Sequence, residues 1–272
     1  MTIWQYGDVA RDEMWSAHDC LFCNSPMTTM FSEHHDDDPA GDSKLNESRL
    51  SDRVSGWRTI EQCTLCGWWK STDQYDRQIR VTLPHATRRV VEGAAGSLKE
   101  LDLKDVTLPI EEVRRYLVAK FESRFKVHPR LFEETVGSVF RSLGYDAVVT
   151  AYSGDGGIDV VLEKDGRQLG VQVKRTKRSI SVEQIRSFVG ALLLKGATEG
   201  IYVTTSKFQS GGKGTASVAE IRGYRVELMD APRLYDALKL AQRASPPDFV
   251  REQVADYFKK MQRISDKPPQ YW

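Results

Sequence analysis

Two Cys-x2-Cys pairs, Cys20-Leu-Phe-Cys23 and Cys63-Thr-Leu-Cys66, constrain the fold of this chain more than any other feature. They hold all four cysteines and stand 39 residues apart. Each short loop presents two thiolates to one ion, and four thiolates close the tetrahedral shell of Zn2+. A closed shell leaves no position for substrate, so this metal is expected to be structural. In a chain without a secretion signal disulfides are a poor alternative, which leaves unliganded or redox-active thiols as the competing reading. His18 lies close enough to Cys20 to be a spare ligand, but four cysteines make it unnecessary. Trp57, Trp68 and Trp69 cluster near the second pair, to pack a small core or to stack on bases. The polar stretch from Ser32 to Asp52, with His34-His35-Asp36, reads as a solvated, flexible insert and not a second metal site.

The 272 residues suffice for one large domain or two modest ones. With 40% hydrophobic and 28% charged residues the composition is that of a globular protein. No apolar run approaches the ~18 residues that span a bilayer. Met1–Ala10 also lacks a signal-peptide core. A cytoplasmic location with no membrane contact is the expectation. The net charge of +1 hides an asymmetry. Met1–Glu92 carries 10 Lys/Arg against 15 Asp/Glu, the remainder 29 against 23. A polyanion is therefore sought in the carboxy-terminal two thirds, although an excess of this size is also ordinary surface composition.

Gly93-Ala-Ala-Gly96 looks like a boundary, giving an amino-terminal module over 1–95 and a linker with a helix over 96–127. Ile110, Val113, Leu117 and Phe121 form one apolar helical stripe, which His128-Pro129 interrupts. A second helix carries Phe132, Val136, Val139, Phe140 and Leu143 inward and stops at Gly144. Strands follow at Asp146–Ala151, Ile158–Leu162 and Gln168–Lys174, the last two joined by a Lys164-Asp-Gly166 turn. Ser181 and Gln184 spell a capping box for the next helix. Further strands at Gly200–Thr205 and Tyr224–Leu228 alternate with helices at Thr215–Ile221 and Ala231–Gln242. Such alternation implies a mixed sheet flanked by helices over 128–243, with a helical tail over 244–272.

Chemistry concentrates in Gly156-Gly-Ile-Asp159 and Val171-Gln172-Val173-Lys174-Arg175. Alternate strand residues share a face, so Gln172 and Lys174 project together, and a hairpin sets Asp159 opposite them. A carboxylate, an amide and a lysine converging among valines is costly unless the site binds something. Hard oxygen donors, namely Asp159, the Gln172 side chain and the Val173 backbone carbonyl, suit Mg2+ or Mn2+. Such an ion serves phosphodiester hydrolysis, with Lys174 offsetting charge on the phosphorane and Glu133 adding a second carboxylate. A buried polar pair tying a hairpin together is the bland alternative. The basic run Lys174-Arg175-Thr-Lys177-Arg178 suits phosphate contacts, and Thr204, Thr205, Ser206 and Lys207 end a strand near the same edge. Asp155, between glycines, suits a turn better than a ligand role, and Glu134 is expected to face solvent.

The run from Leu131 to about Leu238 resembles the Mrr-like branch of the PD-(D/E)xK restriction-endonuclease superfamily. The resemblance is carried by Phe132-Glu133, Leu143-Gly-Tyr145, Ser153-Gly-Asp-Gly-Gly-Ile-Asp159, Val171-Gln-Val-Lys174 and Tyr202-Val-Thr-Thr205. It implies a restriction-endonuclease-like α/β domain, beside which the two cysteine pairs make a small zinc-ribbon-like module. It also implies a catalytic core of Asp159, Gln172 and Lys174 assisted by Glu133, and a metal-dependent DNA endonuclease serving defence, in a family whose members often restrict modified DNA. Gln172 stands where the wider superfamily has an acid, as the Mrr-like branch does; one fewer negative charge lowers metal affinity until DNA is bound. The competing readings are a scaffold or nucleic-acid-binding protein on an inactive nuclease fold, and a structure-specific repair nuclease. Double-strand cleavage needs two cuts, so a homodimer is a further expectation. The sequence has no G-x4-G-K-[ST] run, so any ATPase or helicase activity belongs to a separate defence-system subunit.

Overall fold

The computed structural model describes residues 3–7, 17–37, 54–79, 86–150 and 156–246. The expected tail helix over 249–262 and the Ser153–Asp155 part of the glycine-rich turn lie outside them. The chain divides into two compact units at Lys99/Glu100. Among the described residues no helix is long and apolar enough to cross a membrane.

The first unit is an antiparallel sheet of β1 (Trp4–Gly7), β2 (Met27–Asp37), β3 (Val54–Cys63), β4 (Trp69–Ile79) and β5 (Ala86–Leu98), ordered β1-β5-β4-β3-β2. Gly93-Ala-Ala-Gly96 lies inside β5 and not in a connection. Its smallness has a packing cause. A Cβ on Gly96 would sit 3.0 Å from the Trp69 indole nitrogen, and the Gly96 carbonyl accepts the Trp68 indole N–H at 2.9 Å. The expected insert is also shorter at its start, because Ser32–Asp37 continue β2 and pair with β3 as far as Asp37 opposite Val54. A strand with a solvated face carries polar side chains, and His34, edge-on to Trp57 at 5.1 Å, is one of them. Trp57 is 54% exposed, whereas Trp68 and Trp69 are wholly buried, so the three tryptophans form no single cluster.

In the second unit, α1 (Ile110–Ala119) buries Val113 and Leu117 and packs on two later helices. A 3-10 turn, Phe121–Phe125, follows it. Pro129 does not break α1 but opens α2 (Pro129–Ser142), where a missing N–H costs nothing, with the His128 ring capping the Arg130 N–H. The sheet is ordered β10-β9-β8-β7-β6, from β6 (Asp146–Val149), β7 (Val160–Lys164), β8 (Arg167–Lys174), β9 (Glu199–Thr204) and β10 (Arg225–Met229). Strands β8, β9 and β10 are parallel, while β7 runs antiparallel to both β6 and β8. The β7–β8 turn places Asp165 and Gly166 at positive φ, as a tight hairpin requires.

Helices α3 (Val182–Leu194), α4 (Gly212–Ile221) and α5 (Ala231–Arg243) complete the unit. Ser181 and Gln184 form the expected capping box at the start of α3. Two glycines let α3 approach the sheet. A Cβ on Gly170 would lie 2.8 Å from Leu192, and one on Gly200 2.7 Å from Phe188. Gly170, Gln172, Gly200 and Tyr202 therefore share the face under α3, while Val171 and Val173 face the opposite layer. The result is a mixed sheet with helices on both faces.

Candidate active site and metal centre

Strand β8 outruns its antiparallel neighbour. The β7–β8 ladder ends at Val160 opposite Val171, with one further rung from the Asp159 N–H to the Val171 carbonyl at 2.8 Å. Beyond it the chain has turned away through Gly156 and Gly157, at φ +63° and +88°. The Val173 N–H, past the end of the ladder, donates instead to Asp159 Oδ2 at 2.6 Å. That charge-assisted bond fixes one carboxylate oxygen against β8. The Asp159 backbone is held from the other side by Thr150. Its N–H donates to the Asp159 carbonyl at 2.9 Å, and its Oγ1 to the Ile158 and Asp159 carbonyls at 2.9 and 3.0 Å.

Gln172 is half-buried beside Gly157, where a Cβ would stand in ordinary contact with Gln172 Nε2 at 3.7 Å but tight against Ala191 at 3.3 Å. Lys174 is exposed at the strand end. Its carbonyl accepts from Thr204 Oγ1 at 3.1 Å and the Thr205 N–H at 3.2 Å. Thr205 Oγ1 in turn bridges the Thr176 N–H and carbonyl at 2.8 and 2.9 Å. Both threonines are wholly buried, so they anchor the chain after β8 and do not reach for phosphates.

Glu133 reaches the site indirectly. On α2 it pairs with Arg130 at 3.4 Å, and Arg130 also binds Glu134 at 2.9 Å and the Thr150 carbonyl at 2.6 Å. Glu134 is thus an ion-pair partner and not a free solvent-facing acid. Arg130 and Thr150 tie the helix to the Asp159 turn, and neither is visible from sequence, since their contacts cross from helix to strand end. Arg175 donates through Nη1 to the Phe125 carbonyl, which makes it a tie between segments. Lys177 and Arg178 are exposed beyond it.

Tyr202 enters the sequence reading only within the Tyr202-Val-Thr-Thr205 motif, and the parallel register is what sets it beside Gln172. It is buried and packs edge-on against Phe188 at 5.5 Å and Phe208 at 5.8 Å. Burial, helped by the negative charge of Asp159, pushes its phenol up from 10.0 to about 12. The folded state therefore keeps a proton that the unfolded chain gives up. The stabilisation from this group is complete below pH 10 and is lost as pH rises towards about 12. In an ultraviolet titration one tyrosine is expected to ionise near that upper limit, and Tyr202→Phe removes that step; a titration without it contradicts this environment.

The four cysteines converge as the spacing predicts. All are buried and reduced, with sulfurs mutually within 4.8 Å. Cys20–Cys66 is 3.5 Å, Cys23–Cys63 3.4 Å and Cys23–Cys66 3.8 Å. Tetrahedral thiolates at ~2.3 Å from an ion stand about 3.8 Å apart, so the set fits a thiophilic tetrahedral metal. The two loops are alike. The Asn24 N–H returns to the Cys20 carbonyl and the Gly67 N–H to that of Cys63, at 2.9 and 3.0 Å, with Asn24 and Gly67 both at positive φ. Phe22 wedges the first loop against Trp4 and Trp68 at 4.7 and 5.7 Å, and the Trp4 indole donates to the Cys66 carbonyl at 2.7 Å. Hydrogen bonding among the sulfurs pushes Cys20 and Cys66 up and pulls Cys23 and Cys63 down. At the other site, a carboxylate, an amide and a backbone carbonyl are hard oxygen donors of the kind a divalent cation takes.

Residues 125–238 match the restriction endonuclease family Mrr_cat. The chain is 33% identical over 121 residues to the type IV methyl-directed restriction enzyme EcoKMrr of Escherichia coli (strain K12), covering 42% of this chain and 38% of that one. Among solved structures, the DNA modification-dependent restriction endonuclease AspBHI is similar over 57% of this chain and 39% of its own. The identity there is 18% and the TM-score 0.33. The match thus spans less than half the length of either protein. The stretch that holds Asp159, Gln172 and Lys174 on its mixed sheet, residues 125–238, is a restriction-endonuclease domain of the Mrr type.

Proposed function

We propose that this chain is a metal-dependent DNA endonuclease that restricts foreign DNA, with modified DNA as its substrate class. The observation that carries the reading is the Asp159 carboxylate, fastened by the Val173 N–H beside Gln172 and Lys174 within the restriction-endonuclease stretch. Asp159, the Gln172 side-chain carbonyl and the Val173 carbonyl would hold Mg2+ or Mn2+. Such an ion, when bound, polarises the scissile phosphate and acidifies water. Lys174, exposed at the end of β8, offsets the charge that grows on phosphorus. Glu133 supplies a second carboxylate whose charge Arg130 tempers. With so little net negative charge, the cation is retained best when a DNA phosphate joins its shell. Lys177 and Arg178 meet flanking phosphates. In the first unit Zn2+ is held by Cys20, Cys23, Cys63 and Cys66, in a structural role. A homodimer supplies the two sites that a double-strand cut needs, and any translocation comes from a separate subunit.

The name of the similar enzyme from Escherichia coli, methyl-directed, supports modified DNA as the class to test first. Supercoiled plasmid, methylated and unmethylated, is the substrate, with Mg2+ or Mn2+ added or withheld. Cutting is expected only with the ion, and faster on methylated DNA. Equal rates on both would remove the modification preference, and no cutting of either would remove the nuclease reading.

A further inference from the structure

A cavity of about 440 Å³ opens among the residues around the 3-10 turn, within the size range of ligand pockets. Lys104 lines it from the loop before α1, and Lys120 and Lys126 from the two ends of the 3-10 turn, with Arg175 beside them; the acids are Glu100 and Asp102. Asp102 accepts the Lys104 backbone N–H at 3.1 Å and keeps its charge, so four cations face two carboxylates around the cavity. Among the described residues no carboxylate pairs with any of the four cations. Cations gathered in excess of the carboxylates beside them repel one another, and an anion relieves that cost.

The cavity is fastened to the candidate active site. Arg175, next after Lys174, donates to the Phe125 carbonyl. Arg124 donates through Nε to the Thr205 carbonyl at 3.0 Å and lies 4.1 Å over the Phe125 ring. Thr205 is the residue whose N–H meets the Lys174 carbonyl. The turn is thus pinned to the ends of β8 and β9, and its lysines keep a fixed place relative to Lys174.

We infer that this cavity is a phosphate subsite for the DNA strand running from the cut, in which Lys104, Lys120 and Lys126 take backbone phosphates beside the scissile one. The identity of the strand rests on the nuclease reading; the anion chemistry does not. A free nucleotide would offer the same phosphate. The strand is the better occupant because the cavity adjoins the site through Arg175, where a continuous backbone must pass.

The test compares Lys120→Ala/Lys126→Ala with Lys213→Ala/Arg222→Ala, which removes the same charge from the exposed surface of α4 and its end. DNA affinity is measured against salt with Asp159→Asn in each chain to silence cutting. Each phosphate contact adds about 0.9 to the slope of log K against log[salt]. The cavity variant is expected to lose about one to two from that slope, equally on methylated and unmethylated DNA, and the α4 variant to match the parent. Because binding is read without cutting, a failed subsite and a failed nuclease reading are told apart. Slopes that fall equally in both variants, or in neither, overturn the subsite. So does saturable binding of dAMP that the cavity variant loses while its DNA slope stays unchanged.

Discussion

Replacing Cys63 by serine is expected to cost the first unit its bound metal and its cooperative fold. Cys63 ends β3 and stands 3.4 Å from Cys23 across the two loops, so its loss opens both. Those loops close the end of the sheet: Phe22 from one and the Cys66 carbonyl from the other hold Trp4 on β1. Structural Zn2+ contributes about 10–16 kcal/mol of apparent binding free energy, more than a small unit can replace from its own core. The second unit, residues 100–246, contains no tryptophan; of the six in the chain, Trp4, Trp15, Trp57, Trp68 and Trp69 precede it and Trp272 follows it. In a Trp272→Phe background, tryptophan fluorescence therefore reports the first unit selectively. The wild type is expected to carry one zinc per chain by elemental analysis and to melt cooperatively by fluorescence; Cys63→Ser lacks both. Native fluorescence and an unchanged melt in a zinc-free variant contradict a metal-held unit.

Asp159→Asn is expected to slow DNA cleavage on the order of a thousandfold or more while leaving DNA affinity within a few-fold. The reasoning separates two jobs of one side chain. The carboxylate holds the Val173 N–H at 2.6 Å, which an asparagine oxygen also does. It also supplies a full negative charge at the site, where Glu133 and Glu134 both pair with Arg130, and an amide does not replace that charge. Loss of a group that stabilises only the transition state lowers rate without lowering ground-state binding. Asp159→Ala loses both jobs, and leaving the Val173 N–H without a partner adds about 1–3 kcal/mol of destabilisation. The pair is thus read in two assays: both variants are inactive, but only the alanine variant melts early. An asparagine variant that cuts at the wild-type rate contradicts the role given to Asp159.

The parts legible in the sequence are those fixed by neighbours along the chain. The Asp165-Gly166 turn, the Ser181/Gln184 capping box and the alternation of Val171 and Val173 with Gln172 are all local. The cysteine loops are nearly so, needing only that two short turns meet. Misreadings arise where one residue type serves two physical ends. Gly93-Ala-Ala-Gly96 reads as punctuation, yet small residues also make room for an indole ring, as they do beneath Trp69. The polar run at His34 reads as an insert, yet a strand with a solvated face carries such residues. Arg175 lies in a basic run suited to phosphates, but its guanidinium turns back to the Phe125 carbonyl. The links among Glu133, Arg130, Thr150 and Asp159 join a helix to a strand end, and Tyr202 reaches Gln172 through a parallel register. No local pattern encodes such contacts.

The measurement that tests the account most directly is plasmid cleavage by the wild type beside Lys174→Ala, in Mg2+ or Mn2+, on methylated and unmethylated DNA. The account predicts nicked and linear products from the wild type that need the ion. It predicts a rate lower by about a hundred- to a thousandfold in Lys174→Ala, which still binds DNA. Cleavage by Lys174→Ala at the wild-type rate would contradict it, as would a wild type that binds either DNA and cuts neither.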